Sequence, residues 1–160
     1  MNTESQPFRA RLALRNLADT AALGAAIAAG LQIGDLIALA GDLGAGKTTL
    51  ARGVLTALGL TGPMPSPTFT LVQTYDAPRL IVHHYDLYRL DDPSEIAELG
   101  LDEALEDGAV LVEWPERAGG LLPEDAFTVS LTMPDAQNRL AELTGPARWA
   151  SLFRGFHLVI

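Results

Sequence analysis

The 160-residue chain contains no cysteine, which excludes disulfides, thiolate metal sites and cysteine nucleophiles. It also has no apolar run near the roughly 20 residues needed to span a bilayer. The opening stretch MNTESQPFRARLAL carries no continuous apolar segment and no cleavage pattern. No signal peptide is therefore expected, and a soluble cytoplasmic protein is. Lysine is nearly missing: ten arginines stand beside a single lysine, Lys47. Clustered positive charge is missing too. The net charge is −9 and the arginines are scattered, so no autonomous surface for a nucleic-acid backbone is expected. An acidic surface suits solubility or a basic protein partner.

The apolar share is 48%, enough for a sizeable core, and the length fits one domain over residues 1–160. FRARLAL (8–14) alternates apolar and polar residues, as a half-buried strand does. Residues 17–29 are Ala-rich and read as a helix capped by Asn16 or Asp19 and ended by Gly30. LIALA (36–40) is continuously apolar, the pattern of a fully buried parallel strand. A helix is expected over 48–58. The three prolines of 61–67 then force an extended loop. FTLVQTY (69–75) and LIVHHYD (80–86), joined by a turn at 76–78, predict an antiparallel hairpin. A short acidic helix is expected from Asp92 to about Leu99, and a buried strand over AVLV (109–112). Residues 127–133 and 139–144 suggest a late hairpin, and 146–154 a closing helix. No repeat or linker interrupts this α/β order.

The residues Gly41-Asp42-Leu43-Gly44-Ala45-Gly46-Lys47-Thr48 fit the phosphate-loop pattern G-x-x-x-x-G-K-[ST] at every position. A chance match is on the order of one in a thousand per chain. An apolar strand leads in and a helix leads out, as the motif requires. Its glycines let successive N–H groups face inward on phosphate oxygens, and the helix N-terminus adds partial positive charge. Lys47 would reach the β- and γ-phosphates, and the Thr48 hydroxyl is a hard oxygen ligand for Mg²⁺. A compact ammonium among backbone amides is not replaceable by a guanidinium fork. ATP with Mg²⁺ is the expected ligand.

Such a site also needs carboxylates on neighbouring strand ends. Glu113 follows AVLV in the layout of a Walker B acid, and Asp86 closes LIVHHY. Either would bind Mg²⁺ directly or through water, or orient the attacking water. The neighbours His83 and His84 point to opposite faces of a strand and cannot chelate one ion, so packed or hydrogen-bonded histidines are expected. Trp114 is expected to pack, or to stack near the nucleotide. Ser66 and Thr68 lie where a segment sensing the γ-phosphate would be found. The acids between Asp91 and Asp107 read as a solvated face, with partner docking as the sharper alternative.

Four segments, GDLGAGKTTLARG (41–53), SPTFTLV (66–72), HHYDLYRL (83–90) and LVEWPER (111–117), together closely resemble the TsaE (formerly YjeE) family. Those are small bacterial P-loop ATPases of tRNA threonylcarbamoyladenosine synthesis. The resemblance covers nearly all of 16–145. It implies a three-layer P-loop α/β domain, its mostly parallel central sheet carrying antiparallel strands and hairpins. It implies that Gly44, Ala45, Gly46, Lys47, Thr48 and Thr49 wrap the phosphates of ATP or ADP. Thr48 and Glu113 would hold Mg²⁺, with Asp86 beside them and important for hydrolysis. Ser66-Pro67-Thr68 would form the switch-like loop. Thr20 would lie near adenine or ribose, Trp114 close to the nucleotide, and Arg139 within its reach. The resemblance also implies action with the TsaB–TsaD heterodimer, tRNA being met only through that complex. The family does not itself transfer the threonylcarbamoyl group. Two features depart from it: Phe69 stands where tyrosine is often found, and nothing after Gly145 matches.

Rival functions fare worse. A GTPase normally reads guanine with Asn-Lys-x-Asp, which this chain cannot contain because Lys47 is spent in the loop. A small-metabolite kinase would need an arginine-bearing lid, and no arginine cluster after Lys47 reads as one. A nucleotide-gated binding module with negligible turnover is the closest competitor.

Overall fold

A computed structural model describes residues 6–65, 67 and 70–159. The strands are β1 (Phe8–Leu14), β2 (Leu36–Gly41), β3 (Val72–Asp76), β4 (Ile81–Asp86), β5 (Gly108–Glu113), β6 (Phe127–Thr132), β7 (Arg139–Gly145) and β8 (Leu158–Val159). The helices are α1 (Leu17–Gly30), α2 (Lys47–Ala57) and α3 (Leu101–Asp107). Single 3₁₀ segments run over Pro93–Ile96, Pro115–Ala118 and Ala147–Phe153.

All eight strands join one sheet in the order β3-β4-β5-β2-β6-β7-β1-β8. Its centre, β4-β5-β2-β6, is parallel, and the strands on either side are antiparallel. The residue pattern explains this division. In β2, Ile37 and Leu39 pack on the α1/α2 side, whereas Leu36 and Ala38 pack on the α3 side. In β5, Ala109 and Leu111 face the first core and Val110 and Val112 the second. Strands covered on both faces are apolar, and these are, up to the Glu113 that ends β5. In β6 and β7 only Phe127, Val129, Leu131, Ala141 and Leu143 enter the α1/α2 core, while Thr132, Glu142 and Thr144 are exposed. One covered face gives alternation.

Asn16 caps α1, its Oδ1 accepting from the Asp19 N–H at 2.8 Å. At the other end, Arg79 donates to the carbonyls of Ala28 and Leu31, both at 2.7 Å. The helix crosses α2 where two glycines meet: a Cβ on Gly24 would lie 2.8 Å from the Gly53 carbonyl carbon. Backbone cannot yield there as a flexible side chain would. Gly24→Val is therefore expected to lower unfolding free energy by about 1–3 kcal/mol, read from denaturant melts.

Differences from the expected elements have local causes. The strand expected from Phe69 begins at Val72, because Leu71 adopts φ 65° and its N–H donates to the Pro67 carbonyl at 2.7 Å. The acidic helix expected over 92–99 is a 3₁₀ turn capped by Asp92, followed after Gly100 (φ 73°) by the separate helix α3. The closing helix is 3₁₀ rather than α. Asp102, Glu103, Glu106 and Asp107 do form a solvated face of α3, over buried Leu101 and Ala104. Ser66, Thr68 and Phe69, the centre of the expected switch-like loop, lie outside the described residues.

Tyr85 sits in the core under α3, its hydroxyl donating to the Leu99 carbonyl at 2.9 Å. Burial, with the Glu103 and Asp107 carboxylates adding to it, pushes its phenol up to about 12. A folded-state pKa above the unfolded value of about 10 means that the neutral phenol's contribution is complete below pH 10. It is lost as pH rises through 12. Thermal midpoints are expected to fall across that window, and less so in Tyr85→Phe.

Candidate nucleotide site

Strand β2 ends at Gly41 and α2 starts at Lys47, so the loop between them lies at the C-terminal edge of the parallel strands. Gly44 (φ 82°) and Gly46 (φ 106°) hold the left-handed backbone that side chains rarely adopt. A Cβ on either would meet nothing within 4 Å, so the loop opens onto free space there. Gly46 caps α2 without any side-chain hydrogen bond, which leaves the helix's first N–H groups unmatched by a side chain.

Lys47 folds back over this loop and is only 5% exposed. Its ammonium donates to the carbonyls of Gly41 and Asp42, the latter at 2.9 Å. It also sits 4.0 Å from the centre of the Trp114 ring, a cation–π contact. Burial draws the Lys47 pKa below its usual value, against the pull of Glu113, Glu116, Asp86 and Asp42. Trp114 adopts φ 60°, a left-handed conformation unusual for a bulky residue, and tilts against Tyr88 at 4.9 Å.

Register brings the acids together. Asp86 and Glu113 are direct neighbours at the ends of β4 and β5, and both are buried. The Thr48 hydroxyl donates to Glu113 Oε1 at 2.8 Å, across a separation of 65 residues. Glu113 Oε2 accepts from His84 Nε2 at 2.7 Å. Asp86 Oδ1 accepts from the Tyr88 N–H at 3.0 Å, and the Asp86 N–H donates to Leu71 O at 2.9 Å.

Two adjoining cavities share Gly44, Gly46 and Thr49. The larger, about 320 Å³, is lined by Lys47, Thr48, Asp86, Glu113, Trp114 and Arg89 among others. The other, about 250 Å³, is lined by Thr20, Ala45, Arg139, Asn16, Leu17 and Gln137 among others. Thr20, Gly44 to Thr49, Asp86, Glu113, Trp114 and Arg139 thus each border one of the two. Trp114 belongs with the acids rather than with Thr20 and Arg139. Arg139 is held by the hairpin backbone, donating to Asn138 O at 3.3 Å.

Among the described residues no cluster of three or more His, Cys, Asp or Glu could hold a metal unaided. The hydroxyl of Thr48 and the carboxylate of Glu113 are hard oxygen donors of the kind Mg²⁺ takes, one or two from protein and the rest from phosphate and water. The glycine cradle fits phosphates because nothing fills the space beside Gly44 and Gly46. His84 is hydrogen-bonded, as the sequence suggested, but its place beside Glu113 was not foreseen. The signal was there: His84 and Asp86 are two apart on one strand and so share a face. His83 points away, its Nε2 2.7 Å from Asp107 Oδ1 and its Nδ1 3.1 Å from Thr74 Oγ1. The two rings thus take separate partners on opposite faces of β4, as neighbours in a strand should.

A parallel core whose strand β2 runs through a glycine loop into α2 defines a P-loop α/β protein. The chain belongs to the TsaE family: the model for "Threonylcarbamoyl adenosine biosynthesis protein TsaE" matches residues 14–141. Among similar proteins is the tRNA threonylcarbamoyladenosine biosynthesis protein TsaE of Rickettsia bellii, 39% identical over 140 residues, covering 87% of this chain and 97% of the relative. That of Bacillus subtilis is 41% identical over 115 residues, 71% of this chain and 72% of the relative. That of Haemophilus influenzae is 44% identical over 105 residues, 64% and 66%. The crystal structure of Bacillus subtilis YdiB superimposes with a TM-score of 0.77 at 29% identity, covering 94% of this chain and 95% of that one. No described helix is long and apolar enough to cross a membrane.

Proposed function

We propose that this chain is an ATP-binding, Mg²⁺-dependent ATPase that serves threonylcarbamoyladenosine modification of tRNA next to the anticodon. It acts in the cytoplasm as one domain with a TsaB–TsaD complex that handles the tRNA. The observation that carries this reading is the Thr48–Glu113 hydrogen bond beside the glycine loop, which joins the phosphate cradle to a buried carboxylate.

The chemistry follows from the residues. The amides of Gly44 to Thr49, with the α2 N-terminus, take phosphate oxygens. Lys47 exchanges its two carbonyl partners for the β- and γ-phosphates. Thr20 and Arg139 border the cavity that suits the base and ribose. Thr48 and Glu113 would hold Mg²⁺, which would supply positive charge against the negative charge developing on the transferred phosphoryl group. Asp86 lies alongside and helps order the attacking water. Slow turnover by the isolated chain is expected, with stimulation by the partner complex.

The test is ATP turnover of the isolated chain, with and without the TsaB–TsaD heterodimer. Stimulation without phosphorylation of any acceptor supports the reading. A rate indifferent to the partner, with phosphoryl transfer to a metabolite, would sink it.

A further inference from the structure

His84 is a buried polar group that the proposed chemistry leaves without a task. It is 2% exposed, and its partner Glu113 is equally enclosed. We propose that His84 is a positioning residue whose Nε2–H fixes the Glu113 carboxylate so that Oε1 is presented to Thr48 and the divalent cation. The proposal rests on the reading that Thr48 and Glu113 hold Mg²⁺.

Three features support it. Carboxylate oxygens only accept, so the 2.7 Å contact requires the proton on Nε2 of His84. The terminal torsion of a glutamate is broad and two-fold, so a free carboxylate turns readily. Here Oε2 is tied to His84 and Oε1 faces the Thr48 hydroxyl at 2.8 Å, which fixes both ends. Finally, β4 delivers His84 and Asp86 to the same face as Val82, and β5 delivers Glu113 beside them. Partners one step removed from a metal orient its ligands, and their loss typically costs about 10–100-fold in metal affinity or activity.

The experiment measures the affinity of a fluorescent ATP analogue with and without Mg²⁺, and the Mg²⁺ concentration for half-maximal ATP turnover. It compares wild type, His84→Leu, His84→Gln and His83→Gln. The glutamine amide places a donor near the imidazole Nε2 position. His83 is a control because it pairs with Asp107 on the opposite face of β4. His84→Leu is expected to raise the Mg²⁺ requirement about 10–100-fold, with Mg²⁺-free nucleotide affinity within about two-fold of wild type. His84→Gln is expected to recover most of the loss, and His83→Gln to behave as wild type.

A second readout needs neither metal nor turnover. Imidazole ¹⁵N chemical shifts of the metal-free protein are expected to show His84 protonated at Nε2, with a shift that moves in Glu113→Gln. An unchanged Mg²⁺ response in folded His84→Leu would overturn the proposal. So would a proton on Nδ1 alone, which decides the matter should His84→Leu not fold. Wild-type nucleotide binding that ignores Mg²⁺ would instead reject the metal reading itself, and this inference with it.

Discussion

Replacing Lys47 with alanine is expected to lower ATP affinity at least about 100-fold, or roughly 2.7 kcal/mol, and to abolish nucleotide-dependent function. Lys47 is the only lysine in the chain and is 5% exposed, so no neighbouring ammonium can take its place. Charge-assisted contacts to phosphate are among the strongest polar contacts a protein makes. Lys47→Arg is not expected to rescue. A planar guanidinium is broader than the compact ammonium that contacts the Gly41 and Asp42 carbonyls and the Trp114 ring, and does not reproduce its point-charge geometry. Calorimetric titration with ATP and Mg²⁺ checks both variants. ATP binding and tRNA modification at wild-type level in Lys47→Ala would refute the assignment.

The second large effect is expected at Glu113. Glu113→Ala should cut ATP turnover at saturating Mg²⁺ by about 100-fold while weakening ATP binding less than about 10-fold, because on the proposed reading the carboxylate would act through the metal and the transferring phosphoryl group. The alanine variant also strips Oε1 and Oε2 from Thr48 and His84, leaving buried donors without acceptors. Glu113→Gln is the gentler comparison. It keeps the shape and one acceptor but loses the charge, and should show the same split between turnover and binding. Single-turnover kinetics with separate binding titrations read it. Unchanged turnover at saturating Mg²⁺ would contradict it.

The parts of this site that could be read from sequence are those written in local patterns. The apolar run LIALA, glycines at fixed spacing and a lone lysine specify strand, loop and helix without reference to the rest of the chain. AVLV followed by Glu113, and LIVHHY followed by Asp86, likewise announce buried strands that end in acids. What local pattern does not carry is strand order. Only the sequence β4-β5-β2 puts Asp86 beside Glu113 and Glu113 beside Thr48. The His84–Glu113 hydrogen bond depends on the same register. The 3₁₀ segment after Trp114 and the two-residue β8 were missed because each is too short to show a period. The extra helix α3 was hidden in an acidic stretch whose buried positions, Leu101 and Ala104, are only two. The left-handed Leu71 shortened β3 in a way that its apolar side chain does not signal.

The central claim is that the Gly41–Thr48 loop and Glu113 together hold ATP and Mg²⁺. A crystal structure with a non-hydrolysable ATP analogue and Mg²⁺ tests it most directly. The expected result is a triphosphate against the amides of Gly44 to Thr49 and Lys47, with the ion on Thr48 Oγ1 and on Glu113 directly or through one water. A nucleotide bound elsewhere, or an ion held without either residue, would contradict it.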